Sequence, residues 1–544
     1  MRTYGAYILP LICFVMHCTT DVVGQNFNIA NERTLEKKFI MYADTSSSFH
    51  SSIQPYSQNE LNTIQNIDSL NSSLDIISSS KLVNQLMNNH QLSLNKERFS
   101  FSLDPVINVG VIQEKSNLIS QNLVETSAGL NFKTAFGKKW TGQFLFLLDN
   151  SNYPSYIDDV IQDKNISPGY GYSENNQSIF SQGNITFTAD KNFTFQAGYG
   201  KNFIGDGYRS LFLSDHANSY PYLKVVAKIW KLKYMALYTN FQDIRGANGK
   251  MSSYSQKLSS IHYLSVNVTK WWNIGFFESI IWQAQEGSFY RGYDINYLNP
   301  VIFLRPTEYA QGSADNALLG GSMKFKIKKK NILYSQVILD EFLLQEIKAR
   351  NGWWANKYGI QLGIKAYDFL WIKNLRVQLE YNMVRPFTYT HSYHPASIST
   401  LQNYAHFNAP LAHPLGANFQ EVLAGLSYHK KRWIFEVNST YAKVGLDTNN
   451  TTSVGQDIYI PNNSRPIDPT TGKVINYGYA LGDGLLTDII NSTVKITYIV
   501  NPKSKFTVTG GVTNRMYKNN LTDLSTNYFF VGFKTNLINR YFDY

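Results

Sequence analysis

The densest run of reactive side chains lies between Tyr199 and Asp215, where Gly200, Gly205 and Gly207 alternate with Lys201, Asp206 and Arg209. A phosphate cradle built on such glycines closes with Gly-Lys-Ser/Thr at the start of a helix. Here Asn202 follows Gly200 and Lys201, and no helical spacing comes after it. Ser214, Asp215 and His216 are triad residue types, but sequence neighbours cannot converge on one another as a triad must. Asp340 and Glu341 end a strand-like run, so their carboxylates point to opposite faces, whereas a glycosidase pair shares one cleft. Asp158 and Asp159 fall in a loop and read as solvated. His391, His394, His406 and His413 cluster in one surface loop without register or an acidic partner, which favours solvation over a metal site. No catalytic residue, metal or cofactor is expected, and the chain reads as a non-enzyme.

The elements that must carry these residues start with an export signal. Arg2 precedes an apolar stretch from Ala6 to Met16, and Val22 and Gly24 form a small-residue cleavage site before Gln25. Residues 1–24 are therefore a secretory signal peptide, too short to span a bilayer. A lipoprotein anchor on Cys18 is disfavoured because His17, not a small residue, precedes it. Cys13 and Cys18, the two cysteines, lie inside this signal, so the mature chain has no disulfide, zinc-thiolate or cysteine nucleophile. No later run is long and apolar enough for a transmembrane helix, which leaves a closed sheet as the way to cross a membrane. With 37 Tyr, 33 Phe and only 16% charged residues, the composition suits a barrel with aromatic girdles.

Residues 25–97 are rich in Asn, Ser and Gln, with helical spacing in Leu61, Ile64, Ile67 and Leu70 and again in Leu82 and Leu86. They read as a short helical or partly disordered periplasmic segment. From residue 98 to 544 the spacing changes to two. Leu375, Val377, Leu379, Tyr381 and Met383 alternate with Arg376, Gln378, Glu380 and Asn382, one set for lipid and one for a wet lumen. About eighteen such strands are predicted, an even number in the barrel range. Links after even strands centre near Lys138, Lys191, Leu232, Trp271, Lys330, Leu370, Lys431 and Pro502 and are about one to four residues long. Links after odd strands, such as 151–176, 284–317, 386–418 and 445–487, are all expected to be long. That asymmetry assigns short turns to the periplasm and long loops to the cell exterior.

The formal charge of +11 raises the question of nucleic acid. The short turns answer it, because they hold about fifteen cations, among them Lys138, Lys191, Lys231, Lys270, Lys330, Lys431 and Lys503. These form a periplasmic ring that faces outer-membrane lipid head groups or simply keeps the turns soluble, and no nucleic-acid partner is expected. The last strand, with Phe529, Val531 and Phe533, is expected to end in the aromatic residues Tyr541 to Tyr544 and so carry an assembly signal.

Several motifs resemble the Wzi-type capsule-assembly outer-membrane family, especially its RemB relatives in gliding bacteria. They are Gly205 to Leu211, Leu213 to Asp215, Tyr220 to Leu223, Tyr297 to Pro300, Ser335 to Phe342 and Gly352 to Lys357. The resemblance implies an eighteen-stranded barrel with a helical periplasmic part and a lectin-like hold on surface or capsular polysaccharide, within gliding-motility machinery in the RemB group. Long-loop aromatics such as Tyr153, Tyr156, Tyr170, Tyr172, Tyr290 and Trp354 suit sugar stacking, against a competing place in the membrane belt. Asp206, Arg209 and Asp215, with Tyr293, Arg305 and Trp353, are the candidate glycan-binding set at the extracellular mouth. The competing reading has Arg209 paired with Asp206 or Asp215 to pin the loop. A general porin is the alternative function.

Overall fold

The computed structural model describes residues 26–29, 32–286, 289–301, 315–328, 330–341, 343–392, 400–449 and 451–544. Residues 1–24, read from the sequence as a signal peptide, therefore lie outside the described residues. The barrel strands are β1 (Phe99–Ser116), β2 (Ser120–Phe136), β3 (Trp140–Asn150), β4 (Gln177–Thr188), β5 (Phe193–Gly200), β6 (Tyr220–Ile229), β7 (Leu232–Asp243), β8 (Ser255–Asn267) and β9 (Trp272–Gln283). They continue as β10 (Asn316–Ile327), β11 (Asn331–Glu341), β12 (Lys357–Tyr367), β13 (Leu375–Val384), β14 (Phe419–Lys430), β15 (Trp433–Leu446), β16 (Leu485–Asn501), β17 (Phe506–Lys518) and β18 (Asp523–Thr535). Each pairs antiparallel with the next, and β18 returns to β1 with Phe533 opposite Val109, which closes the sheet.

All the expected short turns fall on one rim. Two links on the opposite rim depart from expectation: 117–119 and 519–522 are tight hairpins, not long loops. For the first of them the reason is strand length. β1 and β2 run 18 and 17 residues, well beyond the 9–11 that a bilayer requires, so the ladder itself continues outward before it turns. The turn from Asp368 to Asn374 is also longer than expected and exposes Leu370 and Trp371.

Outward positions form an apolar band, including Val111, Phe144, Leu223, Leu379, Val437, Val494 and Val531. Trp140, Trp230, Trp271, Trp371 and Trp433 are exposed beside the short turns and make a girdle there. This closed, lipid-faced sheet is an outer-membrane β-barrel. Of the loop tyrosines, Tyr153 and Tyr170 take no part in that belt, because both are buried inside.

The N-terminal segment is ordered into α1 (Lys37–Thr45), α2 (Gln58–Asn62), α3 (Ile67–Ser72) and α4 (Lys81–Asn88). Its Asn and Ser content serves as helix caps: Ser57, Asn66 and Ser80 accept the N–H of Glu60, Ser69 and Val83. Part of it enters the barrel, where Ile53 and Gln54 pair antiparallel with Ile204 and Phe203. Asp44 anchors the same segment to Lys365, 2.8 Å away, and to the Tyr367 hydroxyl at 2.6 Å.

The rim assignment gives an expected labelling pattern. With Cys13 and Cys18 replaced by serine, Gln162→Cys and Thr471→Cys are expected to react with an impermeant maleimide on intact cells, and Lys330→Cys and Lys431→Cys only after permeabilisation. Labelling of Lys330→Cys on intact cells would invert the topology.

Candidate functional site

The link 201–219 does not stand at the mouth. It folds down into the lumen and is almost wholly buried. Gly207 makes the descent possible, because a Cβ there would lie 2.6 Å from the Glu380 carboxylate. The Tyr208 and Arg209 N–H groups donate to the two Glu380 oxygens at 2.6 and 2.9 Å. The glycine-rich run thus cradles an anion, as its composition hinted, but the anion is the barrel's own carboxylate.

Arg209 is fully buried and extends its guanidinium to Glu421 Oε1 at 2.9 Å and to Asp543 Oδ1 at 3.0 Å. Glu421 also receives Asn382 Nδ2 at 3.0 Å and lies 2.8 Å from His413 Nε2. Arg209 therefore pins the loop, but through Glu421 and Asp543, not through Asp206 or Asp215. Asp206 accepts from the hydroxyls of Ser51 and Ser52 and from Lys324 at 3.2 Å, which joins the loop to the N-terminal segment. Burial pushes its carboxyl up, but Lys324, Lys365 and the two hydroxyls override that and hold it at about 2. Asp215 accepts from the Tyr541 hydroxyl at 2.6 Å and from Asn539 Nδ2 at 2.9 Å. Ser214, Asp215 and His216 do not converge; His216 meets the edges of Tyr541 and Tyr544 instead.

Tyr541 to Tyr544 are a correction too. β18 ends at Thr535, and residues 536–544 turn back up the lumen from the short-turn rim to the long loops. Arg540 donates to the Pro168 carbonyl and the Tyr153 hydroxyl and sits 3.9 Å from the Tyr170 ring centroid. The loop 385–418 also enters. His406 and His413, expected in solvent, are buried; His406 accepts the Gln242 N–H at 2.9 Å. His394 lies outside the described residues. Asp158 is likewise not in a bare loop but on α5 (Ser155–Lys164), which buries Ile157 and Ile161. Sequence reading missed Glu380, Glu421, Asp543 and Arg33; the first two were visible only as lone carboxylates at lumen-facing strand positions. These segments leave a polar cavity of about 330 Å³ lined by Arg33, Glu125, Arg376, Lys495 and the tail.

The other candidates separate. Arg305 lies outside the described residues. Tyr293 is half-exposed on the 284–315 loop, edge-on to Trp282 at 6.3 Å. Trp353 sits elsewhere, where the links 342–356, 385–418 and 447–484 meet. There α6 (Leu344–Ala349) ends at Arg350 in the left-handed region, and Gly352, at φ 69°, accepts the Tyr479 N–H at 2.9 Å while Asn351 accepts that of Gly478 at 2.9 Å. A side chain at 352 would strike Tyr479 N at 2.8 Å. This crossing holds Trp353 against Trp354, centroids 6.4 Å apart, and Trp354 against Phe387 at 5.9 Å. Arg465 covers Trp354 at 3.8 Å and donates to Asn476 Oδ1 at 2.9 Å. The result is a platform of half-exposed indoles, a guanidinium, exposed Tyr477 and the amides Asn351 and Asn476.

Among solved structures the chain is similar to Wzi of Escherichia coli, an outer-membrane protein involved in group 1 capsule assembly and described as a carbohydrate-binding β-barrel. The two share 13% identity over 93% of this chain and 98% of that one, with a TM-score of 0.53. The fold is Wzi-like. OprD of Pseudomonas aeruginosa aligns at 10% identity over 81% of this chain and 96% of its own, with a TM-score of 0.40. OpdL of the same organism aligns at 8% identity over 79% and 98%, also at 0.40. No family model matches the chain, and no curated protein matches it in sequence.

Proposed function

We propose that this barrel holds polysaccharide at the cell surface through the loop platform around Trp353, without chemical turnover. The observation that carries the reading is the pairing of a half-exposed Trp353–Trp354–Arg465 surface with a lumen occupied by the protein's own segments. Indole faces stack on the C–H faces of sugars while Arg465, Asn351 and Asn476 offer hydrogen bonds to hydroxyls. Wzi, with the same fold, is described as carbohydrate-binding, which agrees with it. Of the six residues read from sequence, Trp353 is the one this proposal keeps in direct contact; Asp206, Arg209 and Asp215 act by setting the loop beneath.

The channel alternative requires a continuous wet path with selective lining. The packed lumen favours binding over that. A role in gliding motility rests on the RemB resemblance alone, and contact of exposed rim cations such as Lys270 and Lys373 with anionic head groups rests on their position. Trp353→Ala is expected to lower polysaccharide retention about tenfold, the size of a lost stacking contact, with heat-modifiable migration of the barrel unchanged. Unchanged retention in a Trp353→Ala, Arg465→Gln double variant would sink the proposal.

A further inference from the structure

A second hollow, of about 390 Å³, opens at the short-turn mouth between the N-terminal segment and the lower ends of β1, β2, β14 and β16. Lys133, Lys431, Lys503 and Lys505 line it. Two carboxylates stand nearby: Asp104 pairs with His90 at 2.6 Å, and Glu36 pairs with Lys505 through one oxygen while its other, Oε2, has no hydrogen-bond partner among the described residues. Among the described residues the Lys503 amine donates only to Asn89 Oδ1, at 3.2 Å, and the Lys431 and Lys133 amines make no ion pair or hydrogen bond; that of Lys133 lies 5.7 Å from the centroid of the Phe27 ring.

Lys133 is not a stray rim lysine. Two-residue alternation on β2 turns Leu130 and Phe136 outward and Lys133 into the hollow, where it is half-buried. A half-buried amine with no ion pair of its own is costly, and with Lys431, Lys503 and Lys505 on the same walls the cations outnumber the lining carboxylate Glu36. An anion would offset that excess. The walls decide which anion. Phe27 and Phe39 add aromatic rings to the wall, and Asn28, Asn95 and Ser102 offer hydrogen bonds, a mixture that suits a sugar ring better than a bare ion.

We propose that this vestibule is a second binding site, on the periplasmic side, for the carboxylate of an acidic saccharide, with Lys133 as its central cation and Lys431 and Lys503 at its edge. The saccharide half of the assignment rests on the function proposed above; the anion half does not.

The test uses full-length refolded protein in detergent and calorimetric titration with trigalacturonate, its neutral methyl ester and inorganic phosphate. Trigalacturonate is expected to bind, to weaken at least tenfold in Lys133→Gln, to recover in Lys133→Arg, and to be unaffected by Trp353→Ala. Should Lys133→Gln fail to fold, the edge pair Lys431→Gln, Lys503→Gln is expected to show the same loss. Equal binding by the wild type and these variants, or equal binding of acid and ester, overturns the site. Phosphate binding with the same lysine dependence and no preference for trigalacturonate overturns the saccharide assignment. Loss of vestibule binding while Trp353-dependent retention on cells persists sinks this inference alone, and loss of both sinks the function reading with it.

Discussion

Arg209→Met is expected to cost the folded barrel about 3–5 kcal/mol, the range for removing one partner of a buried ion pair. The substitution keeps most of the side-chain volume, so the loss is electrostatic. It strands Glu421, whose side chain is 1% exposed, and leaves Asp543 without its cation. Arg209→Lys is expected to restore only part of this, because one ammonium cannot reproduce the fork that meets two carboxylates at once. Adding Glu421→Gln to Arg209→Met removes the stranded charge and is expected to regain stability, which separates the ion-pair cost from a packing defect. Thermal melting followed by heat-modifiable migration reads all three. A wild-type melting point in Arg209→Met would show that the lumenal knot does not hold the barrel together.

The same knot marks where sequence reading stopped. The wall was legible because its signal is local: Leu375 to Met383 alternates residue by residue, and every lysine-bearing short turn fell on one rim. The filling was not, because its partners are far apart in the chain. Arg209 meets Glu421 across 212 residues and Asp543 across 334. A polar loop that enters a polar lumen also has the composition of one left in solvent, so His406 and His413 gave no sign of burial, whereas in residues 201–219 the apolar run Leu211, Phe212 and Leu213, which packs into a buried apolar cluster, was a sign passed over. In the Asn- and Ser-rich segment the helices were legible from the spacing of Leu61, Ile64, Ile67 and Leu70, but the work of its hydroxyls and amides was not: Ser57, Asn66 and Ser80 cap helices, and Ser51 and Ser52 hold Asp206. Of the candidate site, Trp353 stayed at the surface, whereas Asp206, Arg209 and Asp215 became the loop's fastenings.

Truncation after Thr535 is expected to convert a closed barrel into a conducting one. Residues 536–544, if extended, reach about 30 Å, which matches the thickness of the hydrocarbon core. Their lower part lines the central cavity and a separate small hollow of about 80 Å³ that Lys133 also borders, and Tyr544 lines a depression among the long loops with His216 and Pro414. The tail thus stands between inner and outer spaces that approach each other along its length. Its hold is distributed: Arg540 under the 151–176 link, Tyr541 on Asp215, Asp543 on Arg209, and the Phe542 carbonyl on the Tyr156 hydroxyl. Single substitutions at Tyr541 or Asp543 are therefore expected to flicker, while removal of the whole segment opens the path. In planar bilayers the intact protein should show no steady conductance and the truncated one discrete ionic steps, with surface assembly checked by heat-modifiable migration. Because the strand ladder ends at Thr535, the cut leaves the closing pair of β18 and β1 whole. Steady conductance in the intact protein would favour the channel alternative over the binding one. Silence in an assembled truncated barrel would show that the N-terminal segment and the 201–219 link seal the lumen without the tail.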